Sequence, residues 1–267
     1  MPGLCGVTAT ESVHCYTTRW PAHDRFDLQP VSTRVLAAMS PPLTGISSMA
    51  TRGVLAELSL LYGQQHGLAV QIEATGGVDA AQRVLAGEVF DLVVLAAEAI
   101  DRLIVAGRVL SGSRVDLVRS GVAVAVRAGA ALPDISTEPA LRNAVLAAAS
   151  IGTSTGPSGV QLAQLFERWG ITAQIRSRTV VAPPGVPVGA LVARGEVALG
   201  FQQLSELMPL AGIHIVGPLP ADVQINTTFS AGVCSSSIQP QAARALLEFL
   251  ASPQASAAKL RHGMTPA

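Results

Sequence analysis

Leu85-Ala86-Gly87-Glu88-Val89-Phe90-Asp91-Leu92-Val93-Val94-Leu95-Ala96 is the stretch on which the fold turns. Its second half, Phe90–Ala96, is an apolar run of strand length. A strand with one face in water alternates apolar and polar residues, whereas one covered by helices on both faces stays apolar throughout. The run therefore reads as a buried strand of a parallel sheet. Its flanks agree: Asp79–Ala86 reads as a helix stopped by Gly87, and Ile100–Ala106 as a helix stopped by Gly107.

The same alternation extends in both directions. Upstream lie a strand at Leu43–Ser47, a helix over Met49–His66 with Val54, Leu55, Leu58, Leu61 and Tyr62 at helical spacing, and a strand at Ala69–Ala74. Downstream, Asp116–Arg127 reads as a long strand that crosses between two lobes. Helices at Glu138–Ala148, Val160–Trp169 and Val188–Arg194 then alternate with strands at Ser150–Gly152, Ile175–Val180 and Val197–Gln202. Strands at Ile213–Gly217 and Thr227–Val233 and helices at Pro240–Ala251 and Ala255–His262 close the chain. Repeated βα units imply parallel sheets with helices on both faces. The expectation is an α/β protein of two doubly wound lobes with a ligand cleft between them. Residues 41–123 plus 208–267 form lobe one and residues 124–207 form lobe two in this reading.

Composition narrows the function. The chain has 267 residues, 49% hydrophobic and 13% charged, with 18 basic and 18 acidic side chains. A balanced charge speaks against nucleic acid as a partner, since such proteins carry a basic face. Aromatic residues at 4% supply few stacking platforms. Cys5, Cys15 and Cys234 give no disulfide framework. The histidines at 14, 23, 66, 214 and 262 are scattered without metal-ligand spacing, so no metal and no cofactor are expected. Residues 1–40 mix Cys, His, Pro, Arg and aromatics without a period and lack a signal-peptide pattern. They read as a disordered or non-native extension. The expected location is cytoplasmic, or periplasmic if the true start lies elsewhere.

Three short clusters carry the functional signal: Gly45-Ile46-Ser47-Ser48-Met49-Ala50, Thr75-Gly76-Gly77-Val78-Asp79, and Gly152-Thr153-Ser154-Thr155-Gly156-Pro157-Ser158-Gly159. Each precedes an expected helix. A helix N-terminus presents free N–H groups and partial positive charge, and small residues let an anion approach them. Ser47, Ser48, Thr75, Gly76, Ser154, Thr155, Ser158 and Gly159 are therefore candidate ligand-binding residues. A simpler reading is also open, since Ser and Thr are ordinary helix caps and turn residues. The third cluster lacks the Gly-Lys-Ser/Thr of a phosphate-binding loop. Arg52 lies one turn beyond Ser48; it is either a carboxylate clamp or a solvated surface arginine.

From about Leu43 onward the chain resembles the type II periplasmic solute-binding proteins, and among them the molybdate-binding group. The resemblance rests on the opening strand with Ser47-Ser48-Met49, on Leu85–Ala96, on the turn before Gly159, and on Ala190-Leu191-Val192 with Gly195-Glu196-Val197-Ala198-Leu199-Gly200. Val216-Gly217-Pro218-Leu219-Pro220, residues 245–253 and Gly263 complete it. It implies an oxyanion held by hydroxyls and backbone N–H groups without a neutralising cation. By position, Ser48 matches the first-loop serine, Thr75-Gly76 stands where a second serine is expected, and Ser158 matches a backbone donor of lobe two. Gly185 or Val186 falls at the next backbone donor, and Gln203 stands in place of a tyrosine ligand. An amide offers both a donor and an acceptor, which suits a carboxylate or a protonated anion better than a fully ionised tetrahedral oxyanion.

The leading expectation is a monomeric binding module that closes on a small anionic ligand, with membrane subunits of an ABC transporter as possible partners by resemblance. The alternative is an isomerase of small tricarboxylates such as aconitate on the same scaffold. That chemistry needs a base, for which Glu73, Asp79 and Glu206 are the candidates.

Overall fold

The computed structural model describes residues 41–183 and 185–267. The expectations for residues 1–40, Cys5 and Cys15 among them, and for Pro184 lie outside the described residues. In chain order the elements are β1 (Leu43–Ser48), α1 (Arg52–His66), β2 (Val70–Thr75), α2 (Gly77–Leu85), β3 (Leu92–Ala96), α3 (Ala97–Val105) and β4 (Val115–Arg127). Then follow α4 (Glu138–Ala147), β5 (Ile151–Thr153), α5 (Pro157–Arg168), α6 (Thr172–Ile175), β6 (Thr179–Val181), α7 (Val188–Arg194), β7 (Leu199–Gln203) and α8 (Leu204–Leu207). The chain ends with β8 (Ile213–Pro218), β9 (Asn226–Val233), α9 (Pro240–Ala251), α10 (Ser256–Arg261) and β10 (Thr265–Pro266).

All five residues of β3 are buried, as its unbroken apolar run requires. Leu92 and Val94 pack with α1 and α9 through Leu55, Leu58 and Leu246. Val93 and Leu95 face the other way, onto α2 and α3 through Val84, Ile100 and Leu103. This is the two-residue period of a strand with a helix layer on each face. Burying each such side chain contributes about 1.5–3 kcal/mol. Asp91, the one charge in the run, accepts hydrogen bonds from the Thr44 backbone N–H (2.9 Å) and the Ser237 hydroxyl (2.7 Å). It ties the start of β3 to β1 and to the loop after β9.

Two sheets share β4. In the first, β2, β1 and β3 are parallel neighbours, β9 runs antiparallel beside β3, and the first half of β4 pairs with β9. In the second, Val122–Arg127 of β4 pairs with β7 and β8, and β5 joins β7 to β6. Val122, Val124 and Val126 pack under α4 and α5 against Leu141, Leu162 and Phe201. Ala123 and Ala125 point oppositely, and their small side chains leave room for Leu207 of α8.

β8 (Ile213–Pro218) hydrogen-bonds to the second half of β4. One expectation is corrected. The strand expected over Ile175–Val180 is only Thr179–Val181, preceded by α6 and a 3-10 turn at Arg176–Arg178. The buried side chain of Ile175 belongs to that helical turn and packs into the second core, so its β-branched character was overridden by tertiary contact.

Candidate functional site

Strand direction builds the site. β4 runs in the same sense as β1, β2 and β3, being antiparallel to β9, which is antiparallel to β3. It therefore leaves the first sheet on the side where their C-terminal ends lie. Entering the second sheet, its Val122 stands opposite Gln203, the last residue of the antiparallel β7. β5 and β6 run parallel to β7. The C-terminal ends of the parallel strands in both sheets thus face each other across the middle of β4. Ligands of open α/β sheets bind outside those ends. Ser48, the Thr75 turn, residues 154–159, residues 185–188 and Gln203 all emerge there.

Side chains also join the lobes at this junction. The 3-10 turn Met49–Thr51, which follows Ser48, packs against α8, which follows Gln203. Gln203 Nε2 donates to Thr227 Oγ1 at 2.8 Å, both residues being buried. Ser120 Oγ and Ser205 Oγ lie 3.5 Å apart. α5 also packs on β9 of the first sheet.

The expected residues divide by what their donors already do. Ser48 caps the 3-10 turn only weakly, accepting from Ala50 N at 3.4 Å. It pairs in register with Thr75, and a Cβ placed on Gly77 would lie 3.7 Å from its Oγ. The first turn of α2 thus lies within van der Waals reach of the Ser48 hydroxyl. Ser47 is buried and donates to Glu73 O at 3.2 Å, so it ties β1 to β2 instead of facing the cleft. Thr75 Oγ1 donates to Asp79 Oδ2 at 2.9 Å, which commits its proton locally. At this turn the Gly76-Gly77 backbone is left, with the first N–H groups of α2.

In the third cluster, α5 starts at Pro157, which has no N–H, so Ser158 carries the first donor the helix presents. Ser154 Oγ and Ser158 Oγ lie 3.4 Å apart, and Thr155 is exposed. Gly159 is not a free donor: its N–H bonds Gly156 O at 3.0 Å. Its role is steric, because a Cβ there would meet Ser154 O at 1.9 Å. The Val186 N–H, an expected backbone donor, closes a turn onto Pro183 O at 3.0 Å, with Gly185 at φ 76°. Arg52 is exposed, and its side chain makes no hydrogen bond or ion pair among the described residues.

Of the candidate bases, Glu73 is paired with Arg83 at 2.7 Å and Asp79 is engaged by Thr75. Glu206 differs: burial pushes its carboxyl up to about 7, against a hydrogen bond from Gln202 that lowers it. Sequence reasoning missed Ser120, Ser205, Thr227 and Gln202. The signal available was a polar run, Gln202-Gln203 with Ser205-Glu206, directly after the apolar Leu199-Gly200-Phe201. A shallow groove of about 680 Å³ between α1 and the edge strand β2 contains none of these residues.

Residues 43–265 match the family of bacterial extracellular solute-binding proteins. An aconitate isomerase from a Pseudomonas species is 40% identical over 242 residues, covering 88% of this chain and 92% of that protein. The periplasmic molybdate-binding protein of Azotobacter vinelandii superposes with a TM-score of 0.69 at 23% identity, covering 84% of this chain and 98% of the other. The sulfate-binding protein SubI of Mycobacterium tuberculosis gives 0.68 at 18% identity, covering 85% and 87%. The two-sheet architecture sharing β4 is the type II periplasmic-binding fold of these neighbours. On the match from the first strand to the last, this chain belongs to the bacterial extracellular solute-binding proteins.

Proposed function

We propose that the interlobe cleft binds a small polycarboxylate and that the chain interconverts double-bond isomers of an unsaturated tricarboxylate of the aconitate kind. The observation that carries the carboxylate reading is Gln203. Its Nε2 is committed to Thr227, and its Oε1 is buried without a partner. An orphaned buried acceptor costs about 1–3 kcal/mol, so the site favours a ligand that donates to it. A protonated carboxyl or a hydroxyl does so; a fully ionised molybdate or sulfate only accepts. The likeness to an aconitate isomerase along nearly its whole length supports the isomerase reading.

In this reading the ligand enters between the strand ends and the lobes close on it. Closure is favoured only by contacts made in the closed state, so both lobes contribute donors. Ser48 and the Gly76-Gly77 turn serve lobe one; Ser158 and Gln203 serve lobe two. The second reading, a receptor that delivers an anion to an ABC transporter, is favoured by the family match over residues 43–265. Location then follows function, with a periplasmic receptor and either compartment open to an isomerase.

Two measurements separate these readings. A thermal-shift screen with molybdate, tungstate, sulfate, phosphate, citrate and both aconitates identifies the ligand class, since a ligand at 100 times its Kd adds about 2.7 kcal/mol. Proton NMR of cis- and trans-aconitate in deuterated water then detects isomerisation and exchange. Stabilisation by tricarboxylates with isomerisation supports the proposal. Stabilisation by molybdate alone, with inert aconitates, overturns it.

A further inference from the structure

β2 (Val70–Thr75) ends the first sheet: among the described residues it pairs only with β1. The Leu43 N–H donates to Ala69 O at 2.9 Å, and Leu43 stands opposite Val70 in a parallel register. In a parallel ladder of this phase, Ala69, Gln71, Glu73 and Thr75 turn their backbone groups toward β1. Val70, Ile72 and Ala74 turn theirs outward, to the open edge. No turn or loop hydrogen-bonds to the backbone of these three among the described residues. Such an edge is a template for another strand unless something blunts it. β2 lacks the usual guards: Val-Gln-Ile-Glu-Ala-Thr holds no Pro, no Lys and no bulge. Its one charge, Glu73, is already paired with Arg83 at 2.7 Å.

The groove of about 680 Å³ runs beside this edge, lined by Ala56, Leu60 and Gly63 of α1 and by Val70 and Ile72 of β2. Leu60 is 66% exposed. The edge is self-complementary. A two-fold axis normal to the sheet through Ile72 sets Ile72 against the second copy's Ile72, and Val70 against its Ala74, as hydrogen-bonded pairs. Gln71 then stands opposite the second copy's Glu73 in the closely spaced, non-hydrogen-bonded position, where an amide N–H can reach a carboxylate. Moving the axis by one residue loses this match. Centred on Glu73 it opposes two like charges, and centred on Gln71 it sets Ala74 against Leu68, before the strand begins. The two-fold keeps both α1 helices on one face, so the two grooves open into each other and cover the Leu60 side chains. A strand of another protein would need that match built separately; here one sequence supplies both halves.

We propose that this chain forms a two-fold dimer through β2, joining two first sheets into one continuous sheet, with Gln71 and Glu73 setting the register. β2 is about 20 Å long at about 3.3 Å per residue, and the α1 layer adds about 10 Å of depth. Each copy therefore buries on the order of 500 Å², below the roughly 800 Å² of a standard interface. The association is correspondingly weak, in the micromolar range, and the monomer expected from the sequence is the dilute species. β1, β3 and β9 stand between β2 and β4 in the strand order. Pairing at β2 thus leaves the second lobe of each copy free to close on a ligand.

The test is sedimentation velocity of the full-length chain from about 1 to about 500 μM, a range that brackets a weak interface of this size. Wild type is expected to show a reversible monomer–dimer equilibrium. Gln71 is exposed, so its substitution leaves the core intact. Gln71→Glu opposes Glu73 with a like charge in both symmetric pairs and should weaken the dimer by about threefold or more, whereas Gln71→Lys should tighten it by about threefold. Amide hydrogen exchange by NMR locates the interface. The Val70, Ile72 and Ala74 amides should slow by about tenfold once about nine-tenths of the chain is dimeric, while those of Gln71 and Glu73, bonded to β1, stay protected at every concentration. A chain that remains monomeric over the whole range overturns the proposal. So does a dimer indifferent to both Gln71 substitutions, or one that leaves the Val70, Ile72 and Ala74 amides unprotected, since its interface lies elsewhere. Protection of those three amides that does not vary with concentration means another segment holds the edge, and overturns it as well.

Discussion

The Gln203 side chain donates to the Thr227 hydroxyl across 2.8 Å and thereby links the end of β7 to the start of β9. This bond joins the two lobes beside the crossing strand, and it decides which end of the amide is left for a ligand. Replacing Gln203 by Leu removes a hydrogen bond worth about 1 kcal/mol together with an unsatisfied acceptor that costs a similar amount. Unfolding in urea should therefore show a change of no more than about 1 kcal/mol. Calorimetry should show tricarboxylate affinity reduced by about tenfold, equal to about 1.4 kcal/mol. Unchanged affinity would remove Gln203 from the site.

Ser48 is the next residue to test. Its cap bond is long at 3.4 Å, so Ser48→Ala should cost stability at the low end of the range for caps, about 0.5 kcal/mol. Loss of a hydroxyl donor to a charged ligand should weaken anion binding by about 1.5–3 kcal/mol. Ser47→Ala gives the contrasting result. It breaks the bond to Glu73 O in the core, lowering the melting temperature with little effect on affinity for the folded protein.

Gly159 is required by space. A methyl group there would meet Ser154 O at 1.9 Å, a backbone atom that cannot swing away. Gly159→Ala should force the 154–159 loop off the N-terminus of α5 and cost about 1–3 kcal/mol. Chemical denaturation measures the loss. Gly76→Ala, where a Cβ meets nothing within 4 Å, serves as the tolerated control.

Glu206 gives a pH signature that does not depend on the ligand. Its folded-state carboxyl titrates near 7, raised from 4.5 by burial. The folded state thus binds more protons than the unfolded state between those values, and stability falls as pH rises through that window. The full cost, about 3 kcal/mol, is reached above pH 7. Glu206→Gln should match wild type near pH 4.5 and melt higher at pH 8. A parallel pair of melting curves across this range would contradict the burial of the group.

Lys259, the single lysine of the chain, is 2% exposed beside Thr51, Val118 and Leu250. Burial lowers its pKa from 10.5. The unfolded state then binds the extra proton, so stability rises with pH up to about 10.5. Lys259→Met, of similar volume, should raise the melting temperature at pH 7 by about 2–4 °C for each kcal/mol of desolvation removed. It should also flatten the alkaline rise seen in wild type.

Much of the architecture was legible because burial leaves a periodic trace. β3 declared itself by an apolar run that only a doubly covered strand tolerates, and α1 by apolar residues at helical spacing. Short elements left no such trace. α6 and α8 have four residues each, too few for a period, and their place was set by packing against the second core and β4. Which sheet β8 joins left no trace either, since a strand looks alike in both; its bonds to the second half of β4 decide it.

The candidate site was legible as residue types and not as free donors. By itself the sequence determined a βα chain with small hydroxylated and glycine turns ahead of its helices, because strand period and helix-capping chemistry are local. Only the tertiary structure decided which donors remain. It committed Ser47 to Glu73, Thr75 to Asp79, Gly159 to Gly156 and Val186 to Pro183. It left Ser48, the first N–H of α5 at Ser158 and the Gln203 Oε1 at the junction. The physical reason is that a donor's availability depends on what else lies within about 3 Å of it, and those neighbours come from strands far apart in the chain.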